Sequence, residues 1–195
     1  MSSQGFWTTV SNQADPKRKF RFLLTIGSMP DGATWYTKSV DKPEVTVKEA
    51  EHKFLNHSFY YPGSVTWNPI TAVLVDPVSP DASANLSRIL FESGYAPPRN
   101  VNDVTTISKS KAVNALQSVV ISQINAEGTP VETWTLNNAF ITKVAYGGTL
   151  AYGEDALIDT SISFRYDWAS LETFYKADDG PLRSGGSNRY WVPGT

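Results

Sequence analysis

The chain has 195 residues, of which 41% are hydrophobic and 12% aromatic, which is enough apolar side chain for one domain with its own core. Its 17 basic and 19 acidic side chains give a formal charge of −2, so no chain-wide positive field exists to hold nucleic acid by its phosphates. There is no cysteine and there are only two histidines, which excludes disulfides and thiolate metal sites. We expect no cofactor and no structural metal.

The N-terminal segment shows no apolar run after a basic stretch, and no run of about 18 apolar residues occurs anywhere. We therefore expect a product made in the cytoplasm, with no leader and no membrane span. Residues 1–16 are polar apart from Phe6 and Trp7, and they predict an N-terminal arm.

The first half of the chain shows several β patterns. Apolar residues fill every second position from Phe20 to Ile26, the period that places them on one face of a strand. Residues 35–40 form a second extended segment. Residues 42–62 are both charged and aromatic and predict a long hairpin or projecting arm, and residues 64–76 predict a further strand in which Pro69 indicates a bulge or an edge.

One helix is clearly indicated, at residues 80–93. Ser79 would cap it, Pro80 would take the first helical position, and Gly94 would end it. A second, short helix around 108–115 has a weaker pattern.

The last third predicts more strands. Residues 116–125 and 131–138 flank a glycine-containing turn and favour a hairpin, and 140–146 continue the sheet. Residues 156–168 alternate apolar and polar side chains along what we expect to be one strand, which at about 3.3 Å per residue would span on the order of 40 Å. So long a two-faced strand suits a barrel built from several copies.

The motifs that resemble enzyme or ligand sites are weak. His52 and His57 are five residues apart, so in one extended strand they face opposite ways and cannot share a metal. Ser108 and Lys111 match the S-x-x-K pattern of serine enzymes, but the companion motifs are missing. The basic cluster at 17–21 is too short to bind phosphates strongly. We predict that the protein is not an enzyme.

Four stretches resemble the tail tube proteins of contractile-tailed bacteriophages. They are residues 15–27, 42–45, 59–76 and 138–172, and the triplet Leu150-Ala151-Tyr152 belongs to the last of them. The resemblance spans residues 15–172 and is absent from the end of the chain.

The resemblance implies a mainly β fold, a β-sandwich or half-barrel with one flanking α-helix, in hexameric rings whose strands close a continuous barrel. The rings would stack into a hollow tube that DNA and a tape-measure protein pass through, surrounded by a sheath and bounded by baseplate and tail-terminator proteins. The chain would then belong to the virion tail. Its tube domain would be residues 17–174, followed by a C-terminal extension at 175–195.

Two sets of residues are candidate sites in such a tube. The polar positions of the 156–168 strand would line the lumen, where small polar groups with sparse positive charge let DNA slide. They are Asp159, Ser161, Ser163, Arg165 and Asp167. The projecting arm would contact neighbouring subunits or rings through Lys42, Glu44, Lys48, Glu51, Lys53, Phe59, Tyr60 and Tyr61.

The resulting hypothesis is a structural virion protein, the major subunit of the inner tail tube and a conduit for the genome. Two alternatives of the same class are a baseplate protein that initiates the tube and the tube subunit of a contractile injection system. Alternatives of other classes are a carbohydrate-binding β-sandwich, using Trp7, Trp35 or Trp191, and a hydrolase whose site carries no known motif.

Overall fold

The structure is a computed structural model that describes residues 16–29, 36–100, 104–153, 155–174 and 188–192. Within these ranges the chain forms eleven strands and two helices. The strands are β1 (Phe22–Ile26), β2 (Thr37–Val40), β3 (Val45–Phe54), β4 (His57–Trp67), β5 (Ile70–Val75), β6 (Val119–Ile124), β7 (Pro130–Asn137), β8 (Phe140–Tyr146), β9 (Asp159–Arg165), β10 (Trp168–Thr173) and β11 (Asn188–Tyr190). The helices are α1 (Ala82–Glu92) and α2 (Lys109–Leu116).

The strands form three antiparallel sheets. The five-stranded sheet has the order β1-β6-β7-β10-β11, the four-stranded sheet the order β2-β5-β9-β8, and β3 pairs only with β4. Inward-facing side chains of the two larger sheets and of α1 make one core, which includes Leu24, Ile26, Ile70, Leu86, Ile162 and Phe164. Burial of these apolar groups is the main driving force for the fold. The mainly β prediction is confirmed.

The sheets carry two helices rather than the single one in our predicted fold. Asp81, not Ser79, caps α1, because its side chain accepts a hydrogen bond of 2.8 Å from the amide of Ala84. Gly94 ends this region as predicted, with φ of +101°, and an added Cβ there would lie 2.6 Å from the carbonyl oxygen of Thr106. The weaker prediction at 108–115 corresponds to α2.

The prediction of one long strand over 156–168 is wrong. β9 ends at Arg165 in the four-stranded sheet, and β10 begins at Trp168 in the five-stranded sheet. The alternation of buried positions shifts by one residue at this point. Phe164 and Tyr166 are buried, but the next buried residue is Ala169 and not Trp168. The chain thus crosses from one layer of the sandwich to the other at residues 166–167.

The predicted strand at 64–76 is also divided. β4 ends at Trp67 and β5 begins at Ile70, because Pro69 between them has no amide hydrogen to give to a sheet. The first part completes the β3–β4 hairpin, and the second part crosses the middle of the four-stranded sheet.

Most of the two predicted terminal arms, 1–16 and 175–195, lies outside the described residues. The described part of the C-terminal segment, β11, pairs antiparallel with β10 at the edge of the five-stranded sheet. In the described ranges, neither helix is long and apolar enough to cross a membrane.

Candidate assembly surfaces

The outer face of the four-stranded sheet brings together four of the five predicted lumen residues. In β9 the side chains of Thr160, Ile162 and Phe164 are buried in the core. The alternate side chains point to the opposite face of the sheet and are partly exposed. They are Asp159, Ser161, Ser163 and Arg165. We call this surface the polar face.

Neighbouring strands add hydroxyl and basic groups to the polar face. Thr71 Oγ1 lies 3.3 Å from Ser163 Oγ, and Lys143 of β8 is the cross-strand partner of Ser163. Lys38 of β2 forms an ion pair with Asp159. Three basic side chains, those of Lys38, Lys143 and Arg165, therefore accompany one acidic side chain. The expectation of a face with only sparse positive charge is not met.

Asp167, the fifth predicted residue, lies beyond the end of β9. It accepts hydrogen bonds from Lys109 Nζ, at 2.8 and 2.6 Å to its two oxygens, and from Asn138 Nδ2 at 2.8 Å. These donors, Lys109 first, hold the pKa of the Asp167 carboxyl below its usual range, against a smaller opposing effect of burial. Asp167 thus fixes the start of α2 and does not belong to the polar face.

The four-stranded sheet ends in two strands that have a strand neighbour on one side only, among the residues described. These are β2, which pairs with β5, and β8, which pairs with β9. Edge strands present backbone donors and acceptors that readily accept another strand. Because β2 and β8 run in opposite directions, the β8 strand of one copy can extend the antiparallel pattern beside β2 of another.

The hairpin of β3 and β4 has the longest strands in the described chain, with 10 and 11 residues. Every residue of β3 is exposed. At about 3.3 Å per residue, β3 spans on the order of 33 Å, which is more than its short base at the sandwich requires. We call these two strands the hairpin arm. The long exposed element of this protein is therefore the hairpin arm and not the strand at 156–168.

Cross-strand pairing sorts the side chains near the tip of the hairpin arm onto two faces. His52 pairs with Phe59 and Ala50 with Tyr61 on one face, while Glu51 pairs with Tyr60 and Lys53 with Ser58 on the other. We call the first the aromatic face and the second the charged face. The predicted contact residues are thus divided, with Phe59 and Tyr61 on the aromatic face and Glu51, Lys53 and Tyr60 on the charged face.

The two histidines share the aromatic face, contrary to the expectation from their spacing. His52 belongs to β3 and His57 to β4, and His57 pairs with Phe54, two residues beyond His52. The ring of His57 also meets that of Phe59 edge-on, with centroids 4.8 Å apart. The described residues contain no group of three or more His, Cys, Asp or Glu side chains placed to hold a metal ion.

The remaining predicted contact residues lie at or near the base of the hairpin arm. Lys48 lies where the β3–β4 register shifts, between Val47 and Glu49, and the carbonyl of Glu44 accepts a hydrogen bond of 2.9 Å from the amide of Asn68. Lys42 is held inside its own chain by an ion pair with Glu132. It is therefore an anchor for the arm rather than a free contact group.

Glu132 is a buried carboxylate that sequence reasoning missed. Lys17 and Lys42 both form ion pairs with it, and Trp134 Nε1 donates a 2.5 Å hydrogen bond to it. Burial alone would raise the pKa of Glu132, but the hydrogen bonds from these three partners outweigh it and lower the pKa to about 2. This cluster ties the N-terminal segment and the base of the hairpin arm to β7.

A second feature is a group of three tryptophans from distant parts of the chain. Trp191 stacks on Trp134, with centroids 6.1 Å apart and planes at 21°, and meets Trp67 edge-on at 5.5 Å. We call it the tryptophan cluster. It joins the segment after β11 to the sandwich and to the last residue of the hairpin arm. Nothing in the local pattern of any one tryptophan indicates this contact.

Comparisons with known proteins give a likeness in structure alone. No protein-family model matches the chain, and no curated protein matches it. A chain from the anti-feeding prophage baseplate superposes with a TM-score of 0.59 at 17% identity, covering 81% of this chain and 96% of that one. A chain from the sheath–tube complex of an extracellular contractile injection system in its extended state gives 0.58 at 19% identity, covering 82% and 93%.

A third structure, a chain from the sheath/tube terminator of such an injection system, gives a TM-score of 0.58 at 18% identity, covering 82% of this chain and 98% of that one. The protein therefore has a fold that occurs in contractile injection systems. The shared fold takes in nearly the whole of those chains and about four-fifths of this one.

Proposed function

We propose that this protein is the repeating subunit of the hollow inner tube of a contractile tail, assembled as stacked rings of six copies. The role is structural and needs no catalytic residue. Residues 17–174 form the tube domain, and the termini, 1–16 and 175–195, serve as extensions that contact neighbours.

The observation that carries this proposal is the pair of open edges on the four-stranded sheet, in a fold shared with a sheath–tube complex. β2 of one copy pairing with β8 of the next removes both edges. Repeating that head-to-tail contact around an axis closes a barrel to which each copy contributes four strands. The core-facing side of the sheet remains covered by its own sandwich, so the polar face is the side available to line the lumen.

The polar face has the chemistry of a hydrated channel wall. Its hydroxyl groups, from Thr71, Ser161 and Ser163, give a surface that water covers and that offers no apolar site to a passing polymer. Its excess of basic side chains, repeated in each copy, would attract phosphates weakly rather than repel them. In physiological salt this attraction is largely screened beyond about 8 Å, which limits how strongly such a conduit would hold DNA.

The hairpin arm is the second assembly surface. Its strands are exposed on both faces and far longer than their attachment needs, so an isolated copy gains little stability from them. In a stack, the aromatic face would be buried against an adjacent copy, and each large aromatic side chain would contribute about 1.5–3 kcal/mol. The charged face would remain toward solvent or a polar neighbour.

Of the members of this class, we favour the major tube subunit of a contractile phage tail, located in the virion tail and made in the host cytoplasm. Its partners would be itself, a sheath protein, a tape-measure protein, baseplate and tail-terminator proteins, and DNA that passes through unbound. The fold match to an injection-system baseplate chain favours a second candidate, a tube initiator or injection-system tube subunit.

Negative-stain electron microscopy of the purified protein tests the proposal. We expect hollow rings or tubes with six-fold end views, at concentrations where light scattering reports large particles. A protein that remains monomeric at high concentration would contradict it. A monomer that binds in a glycan array would favour a carbohydrate-binding module instead. Copy number in purified particles separates a major subunit, present in many rings, from an initiator, present in one.

A further inference from the structure

The loop between β8 and β9, residues 147–158, carries large apolar side chains that its own chain leaves uncovered. Leu150 and Leu157 are 80% and 75% exposed, and Tyr152 is fully exposed. Single exposed apolar residues are common on protein surfaces, but three within so short a loop are a patch that favours an interface.

The two ends of this loop, at Gly147 and Ile158, are held in place, although the apolar side chains between them are exposed. Gly147 has φ of +86°, and a Cβ added there would lie 2.8 Å from Ile158 Cγ2, so the two ends of the loop are in close contact. The carbonyl of Ile158 accepts a hydrogen bond of 2.9 Å from the amide of Asp76. The loop therefore projects from a defined place on the sheet.

At the edge of the four-stranded sheet away from β8, the mouth between β1 and β2 is open. A groove of about 760 Å³ lies there, with Phe22, Val40, Ile121 and Trp134 among its apolar lining residues. Its charged lining residues are Lys19, Lys38, Lys42 and Asp41, and of these Lys38 and Lys42 are ion-paired within the chain. We call it the β1–β2 groove.

We propose that the loop residues 147–153 and 155–158 of one copy dock into the β1–β2 groove of the next copy around the ring. The inference rests on the ring closure proposed above and names a contact that the closure itself does not require. Its occupant is a second copy of this chain.

The strand directions bring these two surfaces together. Tyr146, the last residue of β8, pairs with Thr160 near the start of β9, and Lys38 near the start of β2 is ion-paired with Asp159 at the same end. When β8 of one copy lies antiparallel beside β2 of the next, the end of β8 comes beside the start of β2, which is one wall of the groove. The loop of one copy then starts beside the groove of the next copy.

The chemistry of the two surfaces matches as well. Leucine and tyrosine side chains fit an apolar channel, and Asp155 of the loop would meet a rim that includes Lys19. The contact would thus be apolar in its centre and polar at its rim, the arrangement common in protein interfaces.

The chain contains no cysteine, so two introduced thiols report the contact directly. The variant Tyr152→Cys with Ser39→Cys places one thiol on the loop and one in the groove lining. After treatment of assembled material with a short bis-maleimide, we expect a ladder of bands up to six chains on a denaturing gel. The pair Asp155→Cys with Ser39→Cys serves as a second variant in case loss of the tyrosine weakens assembly.

The matched control is Tyr152→Cys with Glu92→Cys, whose second thiol lies on α1, away from the groove. This control should give no ladder above background. Rings that form normally and give no ladder with either loop–groove pair would overturn the docking proposal while leaving the tube intact. If the wild-type chain forms no rings at all, the proposed function fails, and the docking proposal fails with it.

A second measurement uses charge at the loop tip. Leu150→Asp combined with Tyr152→Asp should reduce ring formation at least about tenfold, because two apolar side chains lose their burial. Val78→Asp, at another fully exposed apolar position, should assemble as the wild type does. Circular dichroism should show all these variants folded. Equal assembly of the loop variant and the wild type would contradict the proposal.

Discussion

Lys109, the first residue of α2, donates hydrogen bonds to both carboxylate oxygens of Asp167, at 2.8 and 2.6 Å. Asp167 lies where the chain leaves the four-stranded sheet for the five-stranded sheet, so this pair attaches the short helix to the crossover between the two layers. Asn138, which has φ of +54°, donates to the same carboxylate at 2.8 Å. The arrangement gives Asp167 a role in the fold and places it away from the polar face.

Asp167→Asn should lower the free energy of unfolding by roughly 0.5–1 kcal/mol, the range of a partly exposed ion pair. The measurement is urea unfolding of the soluble chain, with Lys109→Ala and the double variant completing a mutant cycle. The losses in the free energy of unfolding caused by the two single changes should add up to more than the loss caused by the double change. Strict additivity would show that the pair is not coupled. Assembly should be unchanged, since Asp167 does not belong to the polar face.

Glu132→Gln should remove a pH dependence of stability between about pH 4.5 and about pH 2. The pKa of Glu132 is lowered from 4.5 to about 2 in the folded chain, so between these values the unfolded chain binds more protons than the folded one. The stabilisation is complete above about pH 4.5 and is lost as the pH falls toward 2, for a total on the order of 3 kcal/mol. Urea midpoints across this range should fall less steeply for the variant.

The control for that measurement is Glu127→Gln, in the exposed turn between β6 and β7. Other carboxylates titrate over the same range, so the informative quantity is the difference between wild type and variant at each pH. Glu127→Gln should follow the wild-type curve. If the urea midpoints of Glu132→Gln and of the wild type fall equally as the pH is lowered, the role assigned to the buried carboxylate is wrong.

The sequence predicted elements well wherever local pattern and local structure agree. The predicted strand at 140–146 coincides with β8, and Gly94 ends its helical region as expected, because only a residue without a Cβ fits beside Thr106. Polar positions in β9 were assigned to one face by period alone. These features depend on neighbours within a few residues, which a sequence displays directly.

Features that depend on distant parts of the chain were not predictable. The crossover at residues 166–167 leaves the alternation nearly intact, so the strand at 156–168 looked continuous, although its two halves pair with different sheets. The tip of the hairpin arm turns at Leu55, with φ of +54°, where no glycine marks a turn. The histidines on either side were therefore assigned to one strand and to opposite faces.

Trp191→Ala should loosen the C-terminal segment without unfolding the sandwich. Loss of the stack on Trp134 and of the edge contact with Trp67 should reduce the stability of this segment by about 0.5–1.5 kcal/mol. Hydrogen exchange should then be faster in β10, whose outer edge is covered by β11, while amides of β5 and β9 stay protected. Tyr190→Ala, at the neighbouring aromatic position, provides the comparison. Unchanged exchange in β10 would show that the tryptophan cluster does not hold β11 in place.

Thiols on the polar face should become protected when tubes form. We expect a fluorophore attached to Ser161→Cys or Ser163→Cys to be reached by a bulky quencher in the dispersed chain and shielded from it in assembled tubes. The same fluorophore on Glu127→Cys, in an exposed turn, should remain accessible in both states. Free quenching at Ser161 and Ser163 in intact tubes would mean that the polar face does not line the lumen.

The two faces of the hairpin arm should contribute unequally to assembly. Phe59→Ala with Tyr61→Ala removes two large side chains from the aromatic face, each of which would contribute about 1.5–3 kcal/mol if buried between copies. Both are exposed in the single chain, so the melting temperature of the dispersed protein should hardly change, while sedimentation should show fewer and shorter tubes. The matched control is Tyr60→Ala with Glu51→Ala on the charged face, which removes the same number of side chains from the same part of the arm. If the control variant loses assembly as completely as the aromatic variant, the assignment of the aromatic face as the buried one is wrong.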